Sequence, residues 1–182
     1  MAINIYEQCV NPVTGETFRA VSIDPYVFKM RWHTKPGLPH SGVEHIHDKQ
    51  DEIFYVKKGE LKLLVDGKEL KAGAGEKIIV NKGKAHVVLD TSSELDILLE
   101  YRPALDYDKL LQCFEGLLND GHTDEQGHVD IRMLAYMMKK MRCKSLTRPA
   151  QMSALKFKML LNRYYFIGVF KGWNKLYDKY TK

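Results

Sequence analysis

A chain of 182 residues, 45% of them hydrophobic, has the length of one ordinary domain or of a small domain with a substantial appendage, and it can bury a core without covalent staples. Its three cysteines, Cys9, Cys113 and Cys143, are scattered and form no Cys-x-x-Cys pair, which argues against a disulfide framework or a thiolate zinc site and for a reducing compartment. The net charge of +5 is unevenly spread: Lys139 to Lys182 holds 12 Lys and Arg against the single acid Asp178, which is +11, and the rest of the chain carries −6.

That asymmetry points either to an anionic partner for the tail or to a basic helical face that is solvated or rests on the acidic remainder. Met1 to Cys9 lacks a basic start followed by an apolar run, and nowhere are there 18 uninterrupted apolar residues, so a cytoplasmic protein without a leader or spanning helix is expected.

In chain order, Phe28, Met30 and Trp32 alternate with Lys29, Arg31 and His33, the period of a half-buried strand. After a loop from Lys35 to Gly42, further strands are expected at 53–57, 61–65, 68–71, 77–80, 86–89 and 95–101. Turn residues separate them at Lys58-Gly59, Asp66-Gly67, Gly73-Ala74-Gly75 and Lys82-Gly83. Short strands at even spacing predict an antiparallel sandwich or barrel. Beyond Pro103 the period becomes helical. Tyr107, Leu110, Leu111, Phe114, Leu117 and Leu118 mark one helix; Ile131, Leu134, Ala135, Met138 and Met141 mark a second; a third is expected from about Ala150 to Tyr180. The chain therefore divides into a β unit, 1–103, and a helical C-terminal extension, 104–182, mainly β with C-terminal α.

Within the β unit, His45 and His47 lie two apart, so on a strand both imidazoles face one side. Glu52 is at an odd offset, and the polar stretch Asp48-Lys49-Gln50-Asp51 is a corner that can reset the alternation. His86 follows about three strands later, beyond the Gly83 turn. Three imidazoles and a carboxylate suit one divalent transition metal such as iron, manganese, nickel or zinc, and six-coordination leaves two positions open.

The run His45-Ile46-His47, four residues, Glu52, six residues, Gly59 resembles the first signature of the cupin superfamily. The run Gly75, five residues, Asn81-Lys82-Gly83, two residues, His86, three residues, Asp90 resembles the second. Asn81 stands where the family usually has proline, Asp90 where it often has asparagine, and Gly37 and Gly42 flank the usual place of the glycine before the histidine pair. The resemblance covers roughly Val27 to Pro103. It implies a double-stranded β-helix (jelly-roll) barrel, followed here by about three helices, with His45, His47, Glu52 and His86 as metal ligands. It also implies a homodimer, an expectation that the apolar third helix shares.

Other candidates carry less. Strand parity sends Phe28, Met30, Trp32, Phe54, Val56, Val88, Ile97, Leu99 and Tyr101 inward, and of these Trp32, Phe54 and Tyr101 are the candidate substrate-pocket residues. His33 and His40 are expected in solvent. The group His122, His128, Asp120, Asp124 and Glu125 lacks calcium-loop spacing and is expected to be a solvated turn. The cysteines have no recognisable base beside them and are expected to be structural.

Two functions from different classes fit. One is a small-molecule metalloenzyme, an oxygenase or isomerase, with Glu52 moving a proton. The other is a non-catalytic ligand-binding module whose basic tail docks on a partner or a membrane surface. In the third helix Lys and Arg mix with Trp, Tyr and Phe, as in interfacial helices, and Gly168-x-x-x-Gly172 permits close helix approach. Nucleic acid is not expected as a partner, because no helix-turn-helix signature accompanies the charge.

Overall fold

A computed structural model describes residues 2–36, 42–89 and 94–182, which form eleven strands and four helices. Gly37, His40 and Asp90, which entered the expectations above, lie outside the described residues. One sheet runs in the order β1 (Cys9–Val10), β2 (Thr17–Ile23), β3 (Phe28–Thr34), β10 (Leu95–Arg102), β5 (Asp51–Lys58) and β8 (Lys77–Val80). The other runs β11 (Thr147–Pro149), β4 (His45–His47), β9 (Ala85–Val88), β6 (Glu60–Val65) and β7 (Lys68–Gly73). Neighbouring strands pair antiparallel throughout, giving a two-sheet jelly-roll barrel.

The period-two pattern of β3 works as anticipated. Phe28, Met30 and Trp32 are buried in the barrel core with Phe54, Val56, Ile97, Leu99 and Tyr101. Its outer face is zipped to the neighbouring strand, where Lys29 pairs with Glu100 at 3.0 Å and Arg31 with Asp96; just beyond, His33 bonds Glu94 at 2.8 Å. At the β5–β6 turn Gly59 has φ +86°, and a Cβ there would lie 2.1 Å from the Glu94 carbonyl oxygen, so only glycine fits.

The helices are α1 (Tyr107–Asn119), α2 (Ile131–Lys140), α3 (Ala154–Phe170) and α4 (Asn174–Thr181). The long third helix of the sequence pattern is thus two helices, interrupted at Lys171 to Trp173, where Gly172 has φ +72°. Their apolar faces build a second core from Leu110, Leu117, Met133, Tyr136, Met137, Phe157, Leu161 and Tyr180. Gly168 lets α3 approach α2, since a Cβ there would lie 2.2 Å from the Tyr136 ring.

The expected break at Ser145 to Pro149 instead contains β11, an edge strand added to the barrel sheet beside β4. The N-terminus is held against the far end of the chain, with Ile3 N donating to Tyr180 O at 2.9 Å. Part of the basic tail does rest on acids, through Arg148 to Asp48 at 3.0 Å and Lys179 to Asp120 at 2.6 Å.

Candidate metal centre

His45 and His86 face each other in the β4–β9 register, and His47 follows two residues along β4, so one sheet supplies three imidazoles. Glu52 comes from β5 in the opposite sheet, opposite Tyr101 and Val80. The corner at 48–50 turns it inward as anticipated. Buried Gln50 anchors that corner by donating from Nε2 to the carbonyls of Pro103 at 2.8 Å and Ala104 at 3.1 Å, and Asp51 accepts from Lys82 N at 2.8 Å. Gly83 N donates to His47 O at 2.8 Å, which ties the turn before His86 to β4.

The four ligand atoms all lie within 4.8 Å of one another. His45 Nε2 is 3.2 Å from His47 Nε2, and Glu52 Oε2 is 2.8 Å from His86 Nε2, 3.1 Å from His47 Nε2 and 4.0 Å from His45 Nε2. An ion about 2.1 Å from each donor would hold neighbouring donors about 3 Å apart and opposite ones about 4 Å apart, so the spacing suits a coordination sphere.

The outer nitrogens decide which atom faces inward. His45 Nδ1 donates to Val43 O at 2.7 Å and His86 Nδ1 to Lys84 O at 3.1 Å. A carbonyl only accepts, so Nδ1 of both rings holds a proton, and it is Nε2 that faces the centre; on His86 that nitrogen donates to the Glu52 carboxylate, and a cation that displaces its proton would meet the Nε2 lone pair. His47 Nδ1 meets Thr147 Oγ1 at 3.0 Å, a contact made by β11 from 100 residues away.

Burial raises the Glu52 carboxyl, but bonds to His47 and His86 outweigh it and hold the group well below the usual carboxylate range. Burial lowers His86, and the Glu52 carboxylate more than reverses this, leaving it raised. His45, half-buried in the cavity wall, is pushed down to about 3 by loss of solvent around the ring and by the two neighbouring imidazoles. An ionised carboxylate with converging lone pairs in a buried space is a cation site in charge and in donor chemistry, and His, Glu and backbone-fixed tautomers fit a divalent ion. Among the described residues this is the one group of three or more such donors within reach of each other.

The cluster lines a cavity of 840 Å³, and so do all three pocket residues expected from the sequence, Trp32, Phe54 and Tyr101. Trp32 is fixed by donating from Nε1 to Glu16 at 3.0 Å. Parity alone did not reveal the contribution of the extension. Tyr107 of α1 stacks on Tyr101 with centroids 3.8 Å apart, and Leu110, Leu111 and Phe114 add an apolar wall. The helical period marked Tyr107 as part of an apolar face, but only the fold shows that this face meets the barrel. Burial, the Glu52 charge and Tyr107 raise the Tyr101 hydroxyl well above its ordinary value, so it stays protonated.

Of the remaining candidates, Asp124 and His128 border the same cavity from an exposed turn, and the others fall elsewhere. His33 is half-buried on its bond to Glu94 rather than free in solvent, and is not in the cavity wall. Asp124 organises its own turn, accepting from Gln126 N and His128 N at 2.9 Å each and meeting His128 Nδ1 at 3.0 Å. All three cysteines are buried, and burial raises each thiol, Cys9 and Cys113 to about 12.

Residues 30–99 match the model of the family described as Cupin domain. The barrel is a cupin domain, with a His/His/Glu/His cluster able to bind metal. Similar solved structures include KdgF from Halomonas sp., 17% identical with a TM-score of 0.50 over 59% of this chain and 96% of that one. An RmlC-like cupin from Shewanella frigidimarina is 18% identical, with a TM-score of 0.46 over 55% of this chain and 86% of that one. The EutQ protein of Clostridium difficile is 22% identical, with a TM-score of 0.44 over 54% of this chain and 69% of that one. At these identities the likeness is one of fold. No curated protein matches this chain.

Proposed function

We propose that the protein is a small-molecule metalloenzyme of the oxygenase or isomerase type, in which His45, His47, Glu52 and His86 hold one divalent transition metal. The observation that carries this is the convergence of four donor atoms within 4.8 Å on the wall of an 840 Å³ cavity. When bound, such an ion supplies Lewis acidity or redox capacity. The protein's own contribution is binding and placement. Trp32, Phe54, Met30 and Leu99 exclude water and accept an apolar body. Glu52, the carboxylate among the four donors, is the group placed to move a proton, and the protonated Tyr101 hydroxyl is a hydrogen-bond donor close to it.

The alternative is a cupin that holds a small ligand without turning it over, while its tail serves a docking role. The exposed apolar face of α3 favours that second role for the tail. One experiment separates the two. The metal-loaded chain is screened by thermal shift against small oxygen-bearing acids and enols, in air, and every metal-dependent hit is followed by NMR. New product signals that need Glu52 support the enzyme; a ligand that binds and stays unchanged supports the binding module.

A further inference from the structure

The inner face of α3 is spent on the helical core, where Phe157, Leu161 and Gly168 are buried, yet its outer face is also apolar. Leu155 is 70% exposed, Met159 64%, Phe166 66%, Val169 52% and Phe170 90%. At about 100° per residue these five fall within an arc of about 100°, a stripe along a 17-residue helix interrupted only by the half-buried Asn162. Exposed cations border it, with Lys158 on one side and Lys156 and Arg163 on the other, and none of the three makes an ion pair among the described residues. Around them the segment from Lys139 to Tyr177 contains no acid at all.

We propose that this face of α3 docks on an anionic lipid bilayer surface, lying in the plane of the interface. Charge and apolar character together select that occupant. A second copy placed on the stripe by two-fold symmetry would set Lys156, Lys158 and Arg163 against the same cations, which disfavours it. A nucleic acid would engage the cations and leave the Leu, Met and Phe side chains without a role. An anionic bilayer takes both: the apolar side chains enter the acyl boundary, while the flanking Lys and Arg reach the headgroups. No helix among the described residues is long and apolar enough to cross a membrane, so the contact is one of lying on the surface. The proposal is independent of the metal site, which lies in the barrel.

The test is co-sedimentation of the full chain with vesicles of phosphatidylcholine alone and of phosphatidylcholine with phosphatidylglycerol, at low and high salt. The expected result is partition onto the anionic vesicles that weakens with salt, and a fall of at least about tenfold in the double variant F166S/F170S. Both side chains are largely in water, so that variant should keep its fold. A second variant, K158E/R163E, leaves the stripe intact and should lose the preference for anionic lipid. Absence of partition onto anionic vesicles, or binding retained by both variants, would overturn the proposal. So would sedimentation velocity showing a dimer that F166S/F170S converts to monomer, because the stripe would then be covered by a second copy.

Discussion

The barrel interior and the helical extension bury polar groups in opposite ways. In the barrel, buried Glu52, His47, His86, Gln50 and Glu16 all have partners, each fixed by strand register or a turn. In the helical extension, Glu115 Oε1 of α1 and the Tyr136 hydroxyl of α2 are buried with no hydrogen-bond partner among the described residues. Cross-strand pairing brings polar side chains from distant positions to defined neighbours, whereas an amphipathic helix buries whatever its apolar face carries along. The barrel is therefore built around a charge, and the extension is built around area and leaves unpaired groups as local costs.

The largest effect that would break this contrast lies in the barrel. Glu52→Ala removes the anion that balances the cluster and should weaken metal binding by more than about a hundredfold, beyond the ten- to hundredfold typical of losing an outer partner. Titration against a competing chelator measures it, and unchanged affinity would mean the carboxylate is no ligand.

The next effect lies in the helical extension. Burial raises the Glu115 carboxyl from 4.5 to about 8. The folded state then holds a proton that the unfolded chain releases. This contribution is complete below about pH 4.5 and is lost as pH rises towards 8, at about 1.4 kcal/mol per pH unit across that window. Urea denaturation from pH 5 to 8 should show that slope, and Glu115→Gln should flatten it. A smaller cost, about 1–3 kcal/mol by overpacking, is expected for Gly168→Leu, read as a lowered melting temperature, because its side chain must displace the Tyr136 ring.

The smallest effect joins the two regions. Thr147 belongs to the extension but bonds His47 Nδ1 at 3.0 Å. Thr147→Val should weaken metal binding about tenfold with the fold intact, and Thr147→Ser should restore it. Equal affinity in all three proteins would make Thr147 a structural neighbour only.

What the sequence made legible follows from range. Strands β3, β5, β6 and β8 and helices α1 and α2 declare themselves through local periods, and the donor cluster through motif spacing on hairpin-connected strands. Strands β1, β2 and β11 are short or weakly patterned, with Thr17–Ile23 mostly exposed and Thr147–Pro149 only three residues long, so their pairing is tertiary. The split of α3 from α4 rests on one positive-φ glycine in a run of otherwise helical character. Trp32, Phe54 and Tyr101 could be placed by parity, but the Thr147 contact to His47 and the Tyr107 stack on Tyr101 come from residues whose spacing carries no sign of a meeting. The outward-facing stripe of α3 was hidden for a related reason: a helix apolar on most sides does not say which side finds a partner.

The proposed metal centre draws four side chains from opposite sheets to one ion. The direct measurement is the metal content, by mass spectrometry, of the chain purified without a metal-binding tag, beside His45→Ala/His47→Ala prepared identically. About one iron, manganese, nickel or zinc per chain is expected, absent from the double variant. A wild-type chain that is metal-free and cannot be loaded, or a double variant that keeps its ion, would contradict that assignment.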